Sequence, residues 1–134
     1  EQREADFTAG LSSGDVRGFM LAYIRHRIEL IWSQKAVFRA LLPEVMSNAE
    51  LRELYYSKII APTFGMAEGQ FESLVQAEMI RPIDVPLTLR AMAGTLFGTL
   101  MLSLWGDDLI DERLEALPEV LVTMMFDGLD ADNG

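Results

Sequence analysis

The sequence predicts an all-α fold, a helical bundle of about five to six helices. Three observations carry this. Apolar residues recur every three to four positions in each long segment. Capping residues and prolines divide those segments into helix-sized pieces. No apolar–polar alternation lasts more than a few residues, and β-branched residues are scattered, so nothing reads as a strand.

Taken in order, Glu1–Leu11 is polar and reads as the tail of an earlier helix. Ser12-Ser13-Gly14-Asp15 is a break and a helix start. A helix follows from about Asp15 to Ser33, with Val16, Phe19, Met20, Tyr23, Ile24, Arg27, Leu30 and Ile31 on a broad inner face. Lys35–Leu42 reads as a short helix ended by Pro43, since the residue before proline avoids helical angles. Ser47-Asn48-Ala49-Glu50 has the form of a capping box with serine as the cap. One kinked helix or two abutting ones run from Asn48 to Met79, with Pro62 as the kink or stop.

Arg81-Pro82-Ile83 leads into the most apolar stretch, Asp84–Trp105. Asp84 can cap it, and Pro86 suits its first turn, where an amide is unpaired anyway. From Ala91 to Trp105 there is no charged residue. A helical wheel puts Leu87, Ala91, Gly94, Thr95, Gly98 and Leu102 on one stripe. Leu89, Met92, Ala93, Leu96, Leu100 and Leu104 fall opposite. A helix apolar all round must be covered all round, and so short a chain has few helices for the task. The expectation is a helix held between its own core and a second copy of the protein. Gly106-Asp107-Asp108 ends it. A last helix is expected from about Glu112 to Gly128, with Leu114, Leu117, Leu121, Met124 and Gly128 in heptad-like spacing, and Asp130–Gly134 as a frayed tail.

A chain of 134 residues suggests a single domain, 1–134, large enough for a real core. Half of it is apolar, which argues against disorder. The absence of cysteine removes disulfides, thiolate metal sites and cysteine nucleophiles, and fits a reducing, cytoplasmic setting. The net charge of −10 is lopsided. Residues 1–67 carry eight basic and eight acidic side chains, residues 68–134 three and thirteen. Such a surface repels nucleic-acid phosphates, so the chain by itself is not expected to bind DNA. A membrane span needs about 20 apolar residues. Arg90 interrupts the run early and no basic flank follows it, so no membrane partner is expected.

Signals for catalysis are weak. His26 is the single histidine, and Glu29 follows it in the reverse of the Glu-x-x-His order of di-iron bundles. Asp107, Asp108, Asp111, Glu112, Glu115 and Glu119 lack the regular ligand spacing and turn glycine of a calcium loop and read as a solvated face. No phosphate loop or nucleophile–base arrangement is present. No enzyme, metal or cofactor is expected. Large flat or flexible side chains from several helices can line a cavity for an apolar ligand; by sequence alone the stronger reading is that they fill the core. The candidates are Phe19, Tyr23, Phe38, Tyr55, Met92, Phe97 and Met101, with His26 and Arg27 as polar handles.

Several stretches resemble one family. Phe38-Arg-Ala-Leu-Leu-Pro-Glu, Asn48-Ala-Glu-Leu-Arg-Glu-Leu-Tyr55 and Ile59-Ile-Ala-Pro62 are similar to the middle of the C-terminal domain of TetR-family transcriptional regulators. Met79-Ile-Arg-Pro-Ile-Asp84, then Leu87-Thr-Leu-Arg-Ala-Met-Ala-Gly94-Thr-Leu-Phe-Gly98, resembles the connector and hydrophobic helix of that family's dimer interface. Leu121 to Phe126-Asp-Gly-Leu129 resembles its last helix. The resemblance covers about Asp15 to Leu129. It implies a domain that binds a small apolar or aromatic effector, dimerises through its last two long helices and thereby controls DNA-binding heads. The helix-turn-helix that would bear those heads is expected to lie outside this chain, so DNA would be reached only through it. The implied homodimer surface comprises Leu87, Ala91, Gly94, Thr95, Gly98, Leu102, Leu117, Leu121, Met124 and Gly128. A helical interaction or adaptor domain without a pocket is the competing expectation.

Overall fold

The computed structural model describes residues 15–128. The expectations for Glu1–Leu11, Ser12–Gly14 and Asp130–Gly134 lie outside them. Among the described residues the chain is all-α, with six helices and no strand. Helix α1 spans Val16–Ser33 and α2 Lys35–Ser47. Helix α3 is continuous in three sections: Ala49–Tyr55, a π-helical turn Tyr56–Ile60, and Ala61–Gln76. Helix α4 spans Val85–Leu104, α5 Asp108–Glu112 and, after a 3₁₀ turn at Leu114–Ala116, α6 Leu117–Phe126.

The chain divides into two compact units. One combines the chain up to Ile31 with the chain from Thr99 onward, and the other is Trp32–Gly98. In the first unit the buried side chains come from α1 (Met20, Ile24, Ile28), the end of α4 (Leu100, Ser103) and α6 (Leu121, Val122). The α1 residues are spaced by four, the period that keeps one helical face inward. Asp15 caps α1 by accepting from the Gly18 amide at 2.9 Å. In the first turn of the same helix, Arg17 donates twice to Asp127, at 3.1 and 3.0 Å. Its guanidinium also lies 5.6 Å from the centre of the Phe126 ring. The hydrogen bond to Asp127 raises the pKa of Arg17 above its ordinary value. In the second unit Phe71 and Leu74 of α3 are buried, as are Val85 and Leu89 of α4.

Several boundaries correct the sequence reading. Helix α2 does not stop before Pro43 but runs through it to Ser47. A proline withholds one amide and leaves the helix's last carbonyls to be satisfied. Side chains meet that need. Ser47 Oγ donates to the Pro43 carbonyl at 2.8 Å, and Arg52 donates to the carbonyls of Val45 and Met46, both at 3.1 Å. Ser47 is therefore the end of α2 and not the cap of α3. Asn48 is that cap, with extended backbone angles and its side chain accepting from the Leu51 amide at 3.1 Å.

Of the two expectations for Asn48–Met79, the single helix holds: Pro62 does not end α3, which runs on to Gln76. The Ala61 amide bonds to the carbonyl of Tyr56, five residues back, so the helix widens by one residue just before the proline. A π turn absorbs a residue whose ring and missing amide do not fit a regular α-turn. Thr63 Oγ1 then takes the Ile59 carbonyl at 2.7 Å.

The expected single last helix, Glu112–Gly128, is broken in two. Pro118 sits in the first turn of α6, where its lost amide costs least, so α6 begins afresh at Leu117. Asp111 is also more than a solvated carboxylate. Both its oxygens accept from the buried Ser103 hydroxyl, at 3.0 and 3.1 Å. That contact ties α5 back to the end of α4.

Candidate functional site

Helix α4 opens as its sequence requires. Asp84 accepts from the Leu87 amide at 3.1 Å, and the Thr88 amide bonds to the Asp84 carbonyl at 2.8 Å. It closes as firmly. Gly106 takes φ +105°; its amide reaches the Ser103 carbonyl at 3.1 Å, and the next amide, of Asp107, reaches Leu102 at 3.0 Å. That pair of bonds is the Schellman ending, which favours glycine at the left-handed position.

Between these ends the helical wheel is reproduced. Leu89 and Leu100 are buried, and Met92, Ala93, Leu96 and Leu104 are half-buried. On the opposite stripe Leu87, Ala91, Gly94, Thr95, Gly98 and Leu102 are all exposed. Space beside Gly94 and Gly98 is open, with no atom beyond their own helix within 4 Å of where a Cβ would stand. Thr95 turns its hydroxyl back to the Ala91 carbonyl at 3.0 Å. Arg90, the helix's one charged residue, is also held. It donates to Glu68 at 2.9 Å and to the Pro86 carbonyl at 2.8 Å, and lies 4.6 Å from the centre of the Phe64 ring. The bond to Glu68 raises its pKa above the ordinary value, with a further contribution from Tyr56. The stripe thus offers an uncharged, small-centred surface from Leu87 to Leu102. By length and composition α4 is also apolar enough to cross a membrane, and 17% of its most apolar window is buried.

Of the interface residues expected on the last helix, Leu117 is half-buried and Leu121 is buried in its own chain, while Met124 and Gly128 are exposed. Val120, 51% exposed, stands one turn before Met124 and was missed; without the new start at Pro118, its heptad position could not be read. Trp105, 74% exposed, was also missed as a surface residue. It lies three residues beyond Leu102 and extends the same stripe.

The expected ligand-binding residues divide between the units. In the first, Phe19 and Tyr23 stack with ring centres 6.1 Å apart and planes at 24°, and the Arg27 guanidinium lies 6.0 Å from the centre of the Tyr23 ring. Phe19, Tyr23, Arg27 and Met101 are half-buried, and His26 is exposed. In the second, Phe38, Tyr55 and Met92 are half-buried and Phe97 is exposed. Phe19, Tyr23 and Arg27 therefore form one continuous aromatic–cationic edge on α1, the spacing by four that the sequence shows. The second unit also carries a shallow, open groove at the π turn, lined by Arg52, Glu53, Tyr56 and Ser57. Arg52 and Glu53 precede the π turn and Tyr56 and Ser57 begin it, so all four come from one helix and no periodic signal marks them. Among the described residues no group of three or more histidine, cysteine or acidic side chains is placed to hold a metal ion.

Comparison with known proteins finds no matching family, no similar curated protein and no similar solved structure.

Proposed function

We propose that the chain is the effector-sensing and dimerisation domain of a bacterial, cytoplasmic transcriptional repressor of TetR type. The observation that carries this reading is the uncharged stripe of α4, all of whose residues are exposed. A lone chain leaves Leu87, Leu102 and Trp105 in water, and a glycine-centred helical face admits a second backbone closely. Two identical copies presenting the same patch satisfy it by two-fold symmetry. The α1 edge of Phe19, Tyr23 and Arg27 supports the sensing half. Stacked rings beside a guanidinium suit a flat apolar effector that bears an acidic group. Effector binding would then alter the spacing of DNA-binding heads outside this chain and release operator DNA. The reading assigns the domain no catalytic step and no cofactor.

The competing reading is a helical adaptor that engages another protein without a small-molecule pocket. Two measurements separate them. A repressor domain is a dimer by light scattering at micromolar concentration, and Gly98→Trp makes it monomeric by forcing the backbones apart. In a thermal-shift screen of aromatic acids it gains stability with some members, by RT ln(1 + [L]/Kd), and loses the gain in Arg27→Ala. A monomeric parent chain rejects the dimer, and indifference to the whole library rejects the effector.

A further inference from the structure

Helix α3 widens at Tyr56–Ile60, where the Ala61 amide bonds to the Tyr56 carbonyl. Pro62 permits this π turn but does not compel it. The same chain carries Pro43 inside α2 with no such turn, its backbone satisfied by side chains. Pro62 has comparable help, since Thr63 Oγ1 bonds to the Ile59 carbonyl at 2.7 Å. A π turn is rare within a helix and needs a cause.

The register it produces supplies that cause. Tyr56 and Phe64 are eight positions apart, and on an unbroken α-helix they would point about 80° apart. The π turn takes one residue out of the count, and the seven remaining steps bring the two to within about 20° of each other. Glu68 follows Phe64 by one turn, on the same side. Tyr56, Phe64 and Glu68 thus form one line along α3, and Arg90 of α4 meets all three. Its guanidinium donates to Glu68 at 2.9 Å and lies 4.6 Å from the centre of the Phe64 ring. The bond to Glu68 is the main cause of its raised pKa, and a hydrogen bond with the Tyr56 hydroxyl adds to it. The Pro86 carbonyl, at 2.8 Å, ties Arg90 to its own helix. All these residues belong to the second unit.

We propose that the π turn is a two-position joint in α3, held in its wide form by Arg90. With Arg90 released, the Ala61 amide passes from the Tyr56 carbonyl to that of Ser57 and the turn becomes α. The section Ala49–Tyr55 then rotates by about 100° against Ala61–Gln76, and the groove at Arg52, Glu53, Tyr56 and Ser57 turns with it. The side chains of Arg90 and Glu68 are 43% and 30% exposed. An ion pair so exposed contributes little by itself, so the latch opens readily, as a joint between two populated positions requires. The joint is a property of one chain and holds whether that chain is a monomer or a dimer.

The scalar coupling carried through a hydrogen bond, read by NMR on the deuterated, labelled chain, identifies the acceptor of the Ala61 amide. In the parent chain the expected coupling is to the Tyr56 carbonyl. In Arg90→Met, which keeps an apolar stem beside Phe64, that coupling is lost and one to Ser57 appears. Pro62→Ala keeps the coupling to Tyr56, because the latch is intact. Should Arg90→Met fail to fold, Tyr56→Phe combined with Glu68→Met strips Arg90 of both side-chain acceptors on α3 and is read in the same way. A Tyr56 coupling that survives the loss of Arg90, or of both acceptors, overturns the latch. So does a change to Ser57 in Pro62→Ala, since the proline then sets the turn. A parent amide bonded to Ser57, or to neither carbonyl, removes the joint altogether.

Discussion

Replacing Glu78 by glycine should stabilise this protein. Glu78 has φ +59°, the one positive value outside glycine among the described residues. It occupies the left-handed position that ends α3. Its amide donates to the Val75 carbonyl and the next amide, of Met79, donates to Leu74, both at 3.0 Å. That is the same pair of bonds Gly106 makes at the end of α4. A residue with a Cβ pays about 1–2 kcal/mol to stand there. Glycine removes that strain but adds freedom to the unfolded chain, which returns about 0.5–1 kcal/mol. The net gain is about 0.5–1 kcal/mol, or about 3 °C in melting temperature for a chain of this length. Glu78 is exposed and sits in the acidic half of the sequence, so loss of its charge is a second route to the same sign. Glu78→Gln separates the two, keeping the Cβ while removing the charge. Urea unfolding of the three proteins reads the difference. The strain argument fails if Glu78→Gln gains as much as Glu78→Gly, or if Glu78→Gly loses stability.

Asn48→Ala removes the side-chain acceptor for the Leu51 amide and should cost about 1 kcal/mol, by the same urea assay. Ser47→Ala should cost less, and the reverse order would restore serine as the cap. Ser103→Ala strips a buried hydroxyl from a carboxylate it bonds twice, for about 1.5–3 kcal/mol. In the Asp111→Ala background its cost should shrink markedly, because the two changes remove one interaction; additive costs would show that the pair is incidental. Met124→Glu puts a charge on the exposed face of α6. It should lower the dimer fraction seen by sedimentation while leaving the monomer's helicity intact, and an unchanged dimer would exclude α6 from the interface.

Most of the fold was legible because it rests on local rules. The Asp84 cap, the glycine stop at 106 and the inward face of α1 each depend on residues within one or two turns. The misplaced boundaries share a cause. Pro43, Pro62 and Pro118 were given too much or too little authority, since proline's effect depends on what satisfies the neighbouring backbone. Ser47 and Arg52 carry α2 past Pro43, and Arg52 is the fourth residue of the next helix, a partner no window on α2 contains. A π turn carries α3 past Pro62. Pro118 restarts α6 in a stretch whose heptad spacing suggested continuity. The candidate site was legible in the same measure. The α4 stripe is a property of one helix and could be read from its period. Whether Phe38, Tyr55, Met92 and Phe97 meet the α1 edge depends on helix placement, which periodicity does not encode.

The exposed stripe sets a quantitative condition on any dimer. Full burial of a large apolar side chain contributes about 1.5–3 kcal/mol, and Leu87, Leu102 and Trp105 have between 47% and 74% of their surface left to bury. Each therefore offers about 1–2 kcal/mol, and the six from two copies about 6–12 kcal/mol. Association itself costs about 4–15 kcal/mol, while a micromolar dimer needs a net of about 8 kcal/mol. Over most of these ranges the large residues of α4 alone fall short of that, and only the favourable extremes reach it. Contacts along the glycine centre add dispersion but little area. The shortfall has to be met elsewhere, and Val120 and Met124, at 51% and 53% exposure, are the natural source. The proposed dimer would then draw on α6 as well as α4 for its shared surface.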